Sequence, residues 1–375
     1  MRDAGFSDFD AGARNLFLHC AGCHPGDRVL LVHETETDDH YDPALVPDLA
    51  QAARDLGLRC ETVAVPFRPS VTGLDPDLAA RIGAADVTVY LARLGDQIRF
   101  RPDDTGKQQI ICYALDREMF ASRFGVAPYQ GFEALCGLLN AAVSQASEVR
   151  VTCPLGTDFS GTTPAARVAK DTTRKRFPIS IHAPVPADGF RGRVVQSGFL
   201  TGTGSNYYAP FDCPLEGLLT VCFEGNRITG FEGAEGDVAA ARAHYERVGA
   251  TLGIDATYVH SWHAGMHPGL SYGMFAGANT ERWSGGAFGN PRILHLHTCG
   301  AYPPGEICLN VIDPTVTLDG VAVWDDGRLF PERIEGGRAL LDAYPDIAAT
   351  FEAPSPEIGL ARDGRLRMTE VPHAT

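Results

Sequence analysis

From Asp27 to about Val151 the chain alternates short apolar, β-branched runs with segments of helical spacing, and this restricts the fold more than any other feature. RVLLVHE reads as a strand, PALVPDLAQAARDLGL as a helix ending at Gly57, and RCETVAVPF as a second strand. DPDLAARIGAA is a helix, DVTVYLARL and QQIICYAL are strands, and FEALCGLLNAAVSQAS is a helix leading into VRVTCPL. Regular alternation predicts a mainly parallel sheet with helices on both faces, because a parallel connection needs a crossover long enough to hold a helix. The expected first domain is therefore an open α/β unit over residues 1–157.

After Gly156 the texture changes. GRVVQSGF, GLLTVCFEGNRITGFEG, PRILHLHTCG and TVTLDGVAVW are short alternating runs separated by Gly and Pro, interrupted by the helical DVAAARAHYERVGATLG. This predicts an α+β domain of mostly antiparallel strands over residues 158–375, with the boundary near 155 to 165.

Charge and composition limit the function classes. With 47 acidic against 32 basic residues the formal charge is -15, so most of the surface repels phosphate backbones and anionic membranes. No nucleic-acid or membrane partner is expected, and the partner is a small-molecule substrate. The N-terminus has no signal-peptide pattern, no apolar run approaches a bilayer span, and a cytoplasmic location is expected.

Two motifs suggest cofactors and fail on context. HCAGCH at residues 19 to 24 has the spacing of a haem attachment or half a zinc site, but the ten cysteines are dispersed, no second ligand pair accompanies it, and a Pro-Gly turn and a strand follow directly. Cys20 and Cys23 are read as packing thiols at a helix-to-strand joint. The turn after the first strand, HETETDDHYDP, is rich in acids and lacks the glycines of a dinucleotide loop, while GTGSN at 202 to 206 lacks the Lys of a phosphate loop and reads as a turn.

The chemistry concentrates elsewhere. Five of the twelve histidines lie between positions 260 and 297, in HSWHAGMHPG and ILHLHTCG. On a strand, side chains at i and i+2 share a face, so His295 and His297 would present two imidazoles together, and a third would come from His260, His263 or His267. The candidate ligands are His260, His263, His295 and His297, with His267 and Glu306 as catalytic candidates. Glu306, across the Pro-Pro-Gly turn, would be a fourth ligand or a general base. Trp262, Trp283 and Phe288 would form an apolar wall for a flat substrate. The alternative is ordinary: strand histidines held by backbone hydrogen bonds, a solvated loop glutamate and core aromatics.

Several stretches together resemble one family. CxxCHPGDRVLLV, AADVTVYL, VRVTCPLGTDFSG at 149 to 161, LLTVCFEGNRITGFEG, AGMHPG, GNP at 289 to 291 and TVTLDG at 315 to 320 occur in an order similar to that of the thermophilic aminopeptidase (aminopeptidase T) metallopeptidases, whose scaffold the 2,5-dihydroxypyridine 5,6-dioxygenases share. The resemblance implies an N-terminal α/β domain, a metal in the C-terminal domain, and a homodimer. It also implies a ligand in the stretch before the family's Gly-x-Asn-Pro turn, Glu in the peptidases and His in the dioxygenases; here that neighbourhood is HSWHAGMHPG. Ser261 stands at that position without a gap, so His260, or His263 after a small shift, would replace it. The family's His-x-Asp pair would fall on Cys308 and Asn310, which marks the chain as a divergent member whose metal pair has been replaced.

The function these readings predict is a metal-dependent enzyme using one divalent ion, Fe(II) or Zn(II). Oxidative ring opening of a small aromatic or heteroaromatic molecule leads, ahead of a hydrolase of the aminopeptidase, amidase or deaminase type. A third possibility is a non-catalytic binding protein on the same scaffold.

Overall fold

A computed structural model describes residues 8–35, 40–103, 105–163, 172–302, 304–361, 364–366 and 368. The extreme N-terminus, the centre of the acid-rich turn at 36 to 39, Pro303 of the Pro-Pro-Gly turn and the last part of the boundary region, from 164, lie outside them. The described residues gather into two compact units.

The first unit is built on a five-stranded sheet in the order Arg59–Val65, Arg28–Glu34, Val87–Leu91, Gln108–Cys112, Lys175–Phe177, every neighbouring pair parallel. The middle strands are mostly apolar, and all five residues of VTVYL are buried, as a sheet covered on both faces requires. Helix Leu45–Asp55 turns Leu45, Leu49, Ala52 and Ala53 inward. Helix Pro76–Ala84 begins where the Asp75 carboxylate accepts from the Asp77 amide, with Pro at its first position. The fifth strand was not foreseen. KRF is too short to carry a period, and its partner Gln108–Cys112 is more than sixty residues earlier.

HCAGCH lies in this unit. Helix Asp8–Arg14 runs into a π-helical turn at Asn15–Cys20, where the Asn15 amide donates to the carbonyls of Gly125 and Ala127 at 2.8 and 2.7 Å. Cys20 and Cys23 are free and buried, and burial pushes their thiols up to about 12 and about 11. Among the described residues, neither belongs to a group of three or more side chains placed to share a metal ion.

The second unit is a twelve-stranded antiparallel sheet. Its path runs Arg328–Leu329, Val321–Asp325, Thr315–Leu318, Val149–Thr152, Asp158–Gly161, Phe190–Gly202, Ile307–Ile312, Ile293–Thr298, Val259–Ala264, Val185–Pro186, with Cys213–Glu224 and Arg227–Glu232 attached at the Phe190–Gly202 strand. VRVT thus joins this sheet, paired with Asp158–Gly161 and Thr315–Leu318. Helix Glu235–Leu252 is the predicted interruption and ends on Gly253 at φ 66°, a left-handed cap that glycine takes without steric penalty. The fold class expected from the sequence, a parallel α/β unit with a mainly antiparallel α+β unit, is the one observed. Among the described residues, no helix is long and apolar enough to cross a membrane.

Candidate metal centre

Three adjacent antiparallel strands, Val259–Ala264, Ile293–Thr298 and Ile307–Ile312, carry the candidate residues in strict register. His263 lies opposite His295, which lies opposite Asn310. One step along, Ser261 faces His297, His297 faces Cys308, and Cys308 faces Thr201 of the long strand Phe190–Gly202. Directly opposed residues share a face, so one side of the sheet presents His263, His295, His297, Asn310, Cys308, Ser261 and Thr201. The intervening residues, Trp262, Leu296 and Leu309, take the other side. There Trp262 packs against Phe159 and Phe190, with ring centroids 6.1 and 5.6 Å away.

The imidazoles converge. Ring centroids are 4.2 Å apart for His263 and His295, 4.9 Å for His263 and His297, and 5.0 Å for His295 and His297. One ligand atom from each lies within 4.8 Å of the others, and among the described residues this is the one group of three or more His, Cys, Asp or Glu so arranged. All three side chains are buried.

The protonation pattern suits a cation. His263 Nδ1 lies 3.0 Å from the His182 carbonyl oxygen, which can only accept, so the proton sits on Nδ1 and Nε2 keeps its lone pair. That Nε2 is buried without a hydrogen-bond partner among the described residues. His182 is itself fixed, with Nδ1 2.8 Å from the Ala183 carbonyl and Nε2 accepting from the Ala264 amide at 3.0 Å. Burial, and then the neighbouring His295, His297 and His182, hold the His263 pKa well below the ordinary imidazole value, so the ring is neutral at pH 7. Three buried imidazoles, one of them neutral with its tautomer set by an outer carbonyl, fit a mid-row divalent ion.

The other predicted residues are distributed around this group. His260 occupies a bulge between the registers of Val259 and Ser261, where its Nδ1 meets Ser261 Oγ at 2.9 Å, outside the group of three. His267 is buried beyond the strand end, with Nδ1 accepting from the Gly269 amide at 3.2 Å, and burial lowers its pKa to about 3. Glu306 sits at the start of its strand; Oε1 accepts from Asn206 Nδ2 at 2.9 Å, and its main-chain carbonyl accepts from the Tyr208 hydroxyl at 2.6 Å. Phe288, half-buried, stacks on His295 with centroids 4.3 Å apart. Trp283 stands behind it, edge-on at 5.3 Å, with Nε1 donating to the Ile358 carbonyl. Phe288 therefore lies against the imidazoles, whereas Trp262 points to the opposite side of the sheet.

His182, Asn310 and Thr201 were not singled out by sequence reasoning as site residues. His182 carries no periodic signal. Asn310 and Cys308 were noted only as replacements of a family ligand pair, although the alternation in ICLNVI already places them on one face.

No family model matches the sequence, and no curated protein matches it. Among solved structures, 2,5-dihydroxypyridine dioxygenase from Pseudomonas putida KT2440 is similar with a TM-score of 0.59 at 17% identity, covering 87% of this chain and 98% of its own. AmpT from Thermus thermophilus covers 82% of this chain and 94% of its own at 11% identity, with a TM-score of 0.44. The first likeness establishes a shared fold; the second is too distant to argue from.

Proposed function

We propose that the chain is a metal-dependent enzyme that opens the ring of a small aromatic or heteroaromatic molecule, with one divalent ion held by His263, His295 and His297. The observation that carries this reading is the convergence of three buried imidazoles, one of which has its tautomer fixed by the His182 carbonyl. The dioxygenase with the same fold gives the reaction class its support. Fe(II) bound by three protein ligands supplies open positions for O2 and substrate. Phe288, stacked on His295, provides a flat apolar surface that orients a ring and excludes water. Glu306, oriented by Asn206, takes the substrate proton at its carboxylate.

Ring opening by O2 places both oxygen atoms in the product and needs no external reductant. Anaerobic purification, metal analysis and O2 uptake with a panel of hydroxypyridines test the proposal. About one iron per chain and one O2 consumed per ring opened are expected. Well under one ion per chain, with no turnover after adding Fe(II) or Zn(II), rejects it in favour of a binding protein. A second reading, a zinc hydrolase, draws on the ligand set itself, since three histidines without a carboxylate also hold catalytic zinc. Zinc in place of iron, with hydrolysis of an amide and no O2 uptake, would select it.

A further inference from the structure

The face that carries the three histidines also carries two fully buried polar side chains that find no hydrogen-bond partner among the described residues. Among the described residues neither Oδ1 nor Nδ2 of Asn310 has a hydrogen-bond partner, and neither does Oγ1 of Thr201. Both side chains are 0% exposed. Asn310 lies directly opposite His295, and Thr201 directly opposite Cys308, two residues from Asn310 on the same strand. The backbone there is held firmly: the Asn310 amide donates to Gln196 Oε1 at 2.6 Å, and Gln196 Nε2 is fixed by the carbonyls of Ser197 and Phe199, each at 2.8 Å. A rigid support beneath an unsatisfied carboxamide is the arrangement of a preformed recognition group, since proteins seldom bury amide atoms without a partner.

We infer that Asn310 and Thr201 are substrate-binding residues of the three-histidine site, and that they select an uncharged cyclic amide or imide, a ring with a carbonyl beside an N–H. This rests on the proposed function only in placing the ligand beside the ion. A carboxamide offers an acceptor and a donor side by side, and the group that satisfies both at once has a donor and an acceptor side by side. A role as fourth metal ligand would use Oδ1 and leave Nδ2 buried and unpaired next to a cation. A carboxylate substrate would set its negative charge against Oδ1. The Thr201 hydroxyl, one strand further along, can turn to donate or accept and completes a three-point contact.

The test uses uracil, and 1,3-dimethyluracil, which keeps the shape and carbonyls but lacks both N–H groups, titrated calorimetrically into the full-length protein as purified and after chelation. Uracil should bind at least about tenfold more tightly than its dimethyl analogue. Asn310→Leu should weaken uracil by at least about tenfold and Thr201→Val by about threefold, with metal content unchanged in both. Without ligand, Asn310→Leu should also melt about 2–4 °C higher than the wild type, because an unsatisfied carboxamide is replaced by an apolar group of similar size; a purely structural Asn310 would give a lower melting temperature. Equal affinity for the two probes, no binding of either, unchanged uracil affinity in the variants, or loss of metal in Asn310→Leu would each overturn the assignment. Probe discrimination in chelated protein stands even if the chain holds no ion, so the two proposals fail separately.

Discussion

Each unit of the molecule buries a polar cluster, and the two are opposite in kind. In the α/β unit, Glu34 and Arg93 have side chains only 2% exposed, and they satisfy each other: both carboxylate oxygens accept from the guanidinium at 2.8–3.2 Å, Oε1 also accepts from the Arg93 amide at 2.6 Å, and the guanidinium lies over the Phe67 ring at 3.6 Å. In the antiparallel unit, His263 Nε2, both amide atoms of Asn310 and Thr201 Oγ1 are buried and have no hydrogen-bond partner among the described residues. A buried pair that satisfies itself is a structural element. A cluster that leaves acceptors and donors unanswered carries a desolvation cost that a ligand or a buried water offsets.

The largest effect that would break this contrast comes from the imidazoles. His263→Ala, His295→Ala and His297→Ala should each reduce metal affinity by more than about 100-fold while the circular dichroism spectrum is retained; full occupancy in any of them would remove that residue from the site. Next is the self-satisfied pair. Glu34→Ala should cost about 3–5 kcal/mol of stability by stranding the buried guanidinium, with metal content per folded chain unaltered, as denaturant melts and metal analysis would show.

His182→Ala sharpens the comparison by removing an imidazole that accepts from the Ala264 amide, while the main-chain carbonyl that meets His263 Nδ1 stays and no ligand is lost. A fall in metal affinity of about 10–100-fold is expected. An unchanged affinity would mean that the His182 imidazole does not help to hold its own main-chain carbonyl against His263.

The pH dependence is smaller. His244, buried near Arg247, is lowered to about 4, and His267 to about 3, in both cases chiefly by burial. Their unfolded value is near 6.5, so between these pH values the unfolded chain binds protons that the folded chain refuses, and stability falls as the pH drops below about 6.5. Each group contributes a slope of about 1.4 kcal/mol per pH unit in that window and nothing above it. Melts of the metal-free protein from pH 4.5 to 8 should rise and then level off, and His244→Gln should make the rise shallower. The smallest effect belongs to HCAGCH: Cys20→Ser should leave the metal content unchanged, and loss of metal there would show that the buried thiols are ligands after all.

The architecture was legible in the sequence wherever a period ran long enough to be counted. RVLLVHE, DVTVYL and the helix between Leu45 and Asp55 follow from local pattern. The strand Lys175–Phe177 does not, because three residues carry no period and their place is set by a distant partner. At the candidate site, the i, i+2 spacing of His295 and His297 already placed both rings on one face. The choice of His263 over His260 was not legible, because it depends on a bulge that shifts the register of one strand by a residue.

By itself, then, the sequence determined the two fold classes, the acidic surface charge and the region in which imidazoles accumulate, all of which depend on composition and on the 2.0 and 3.6 residue periods of neighbouring side chains. Only the tertiary structure decided which histidines meet and that Asn310 and Thr201 lie unsatisfied beside them. Those facts depend on the register between separate strands, and on which polar atoms find no partner among the described residues, neither of which a local period contains.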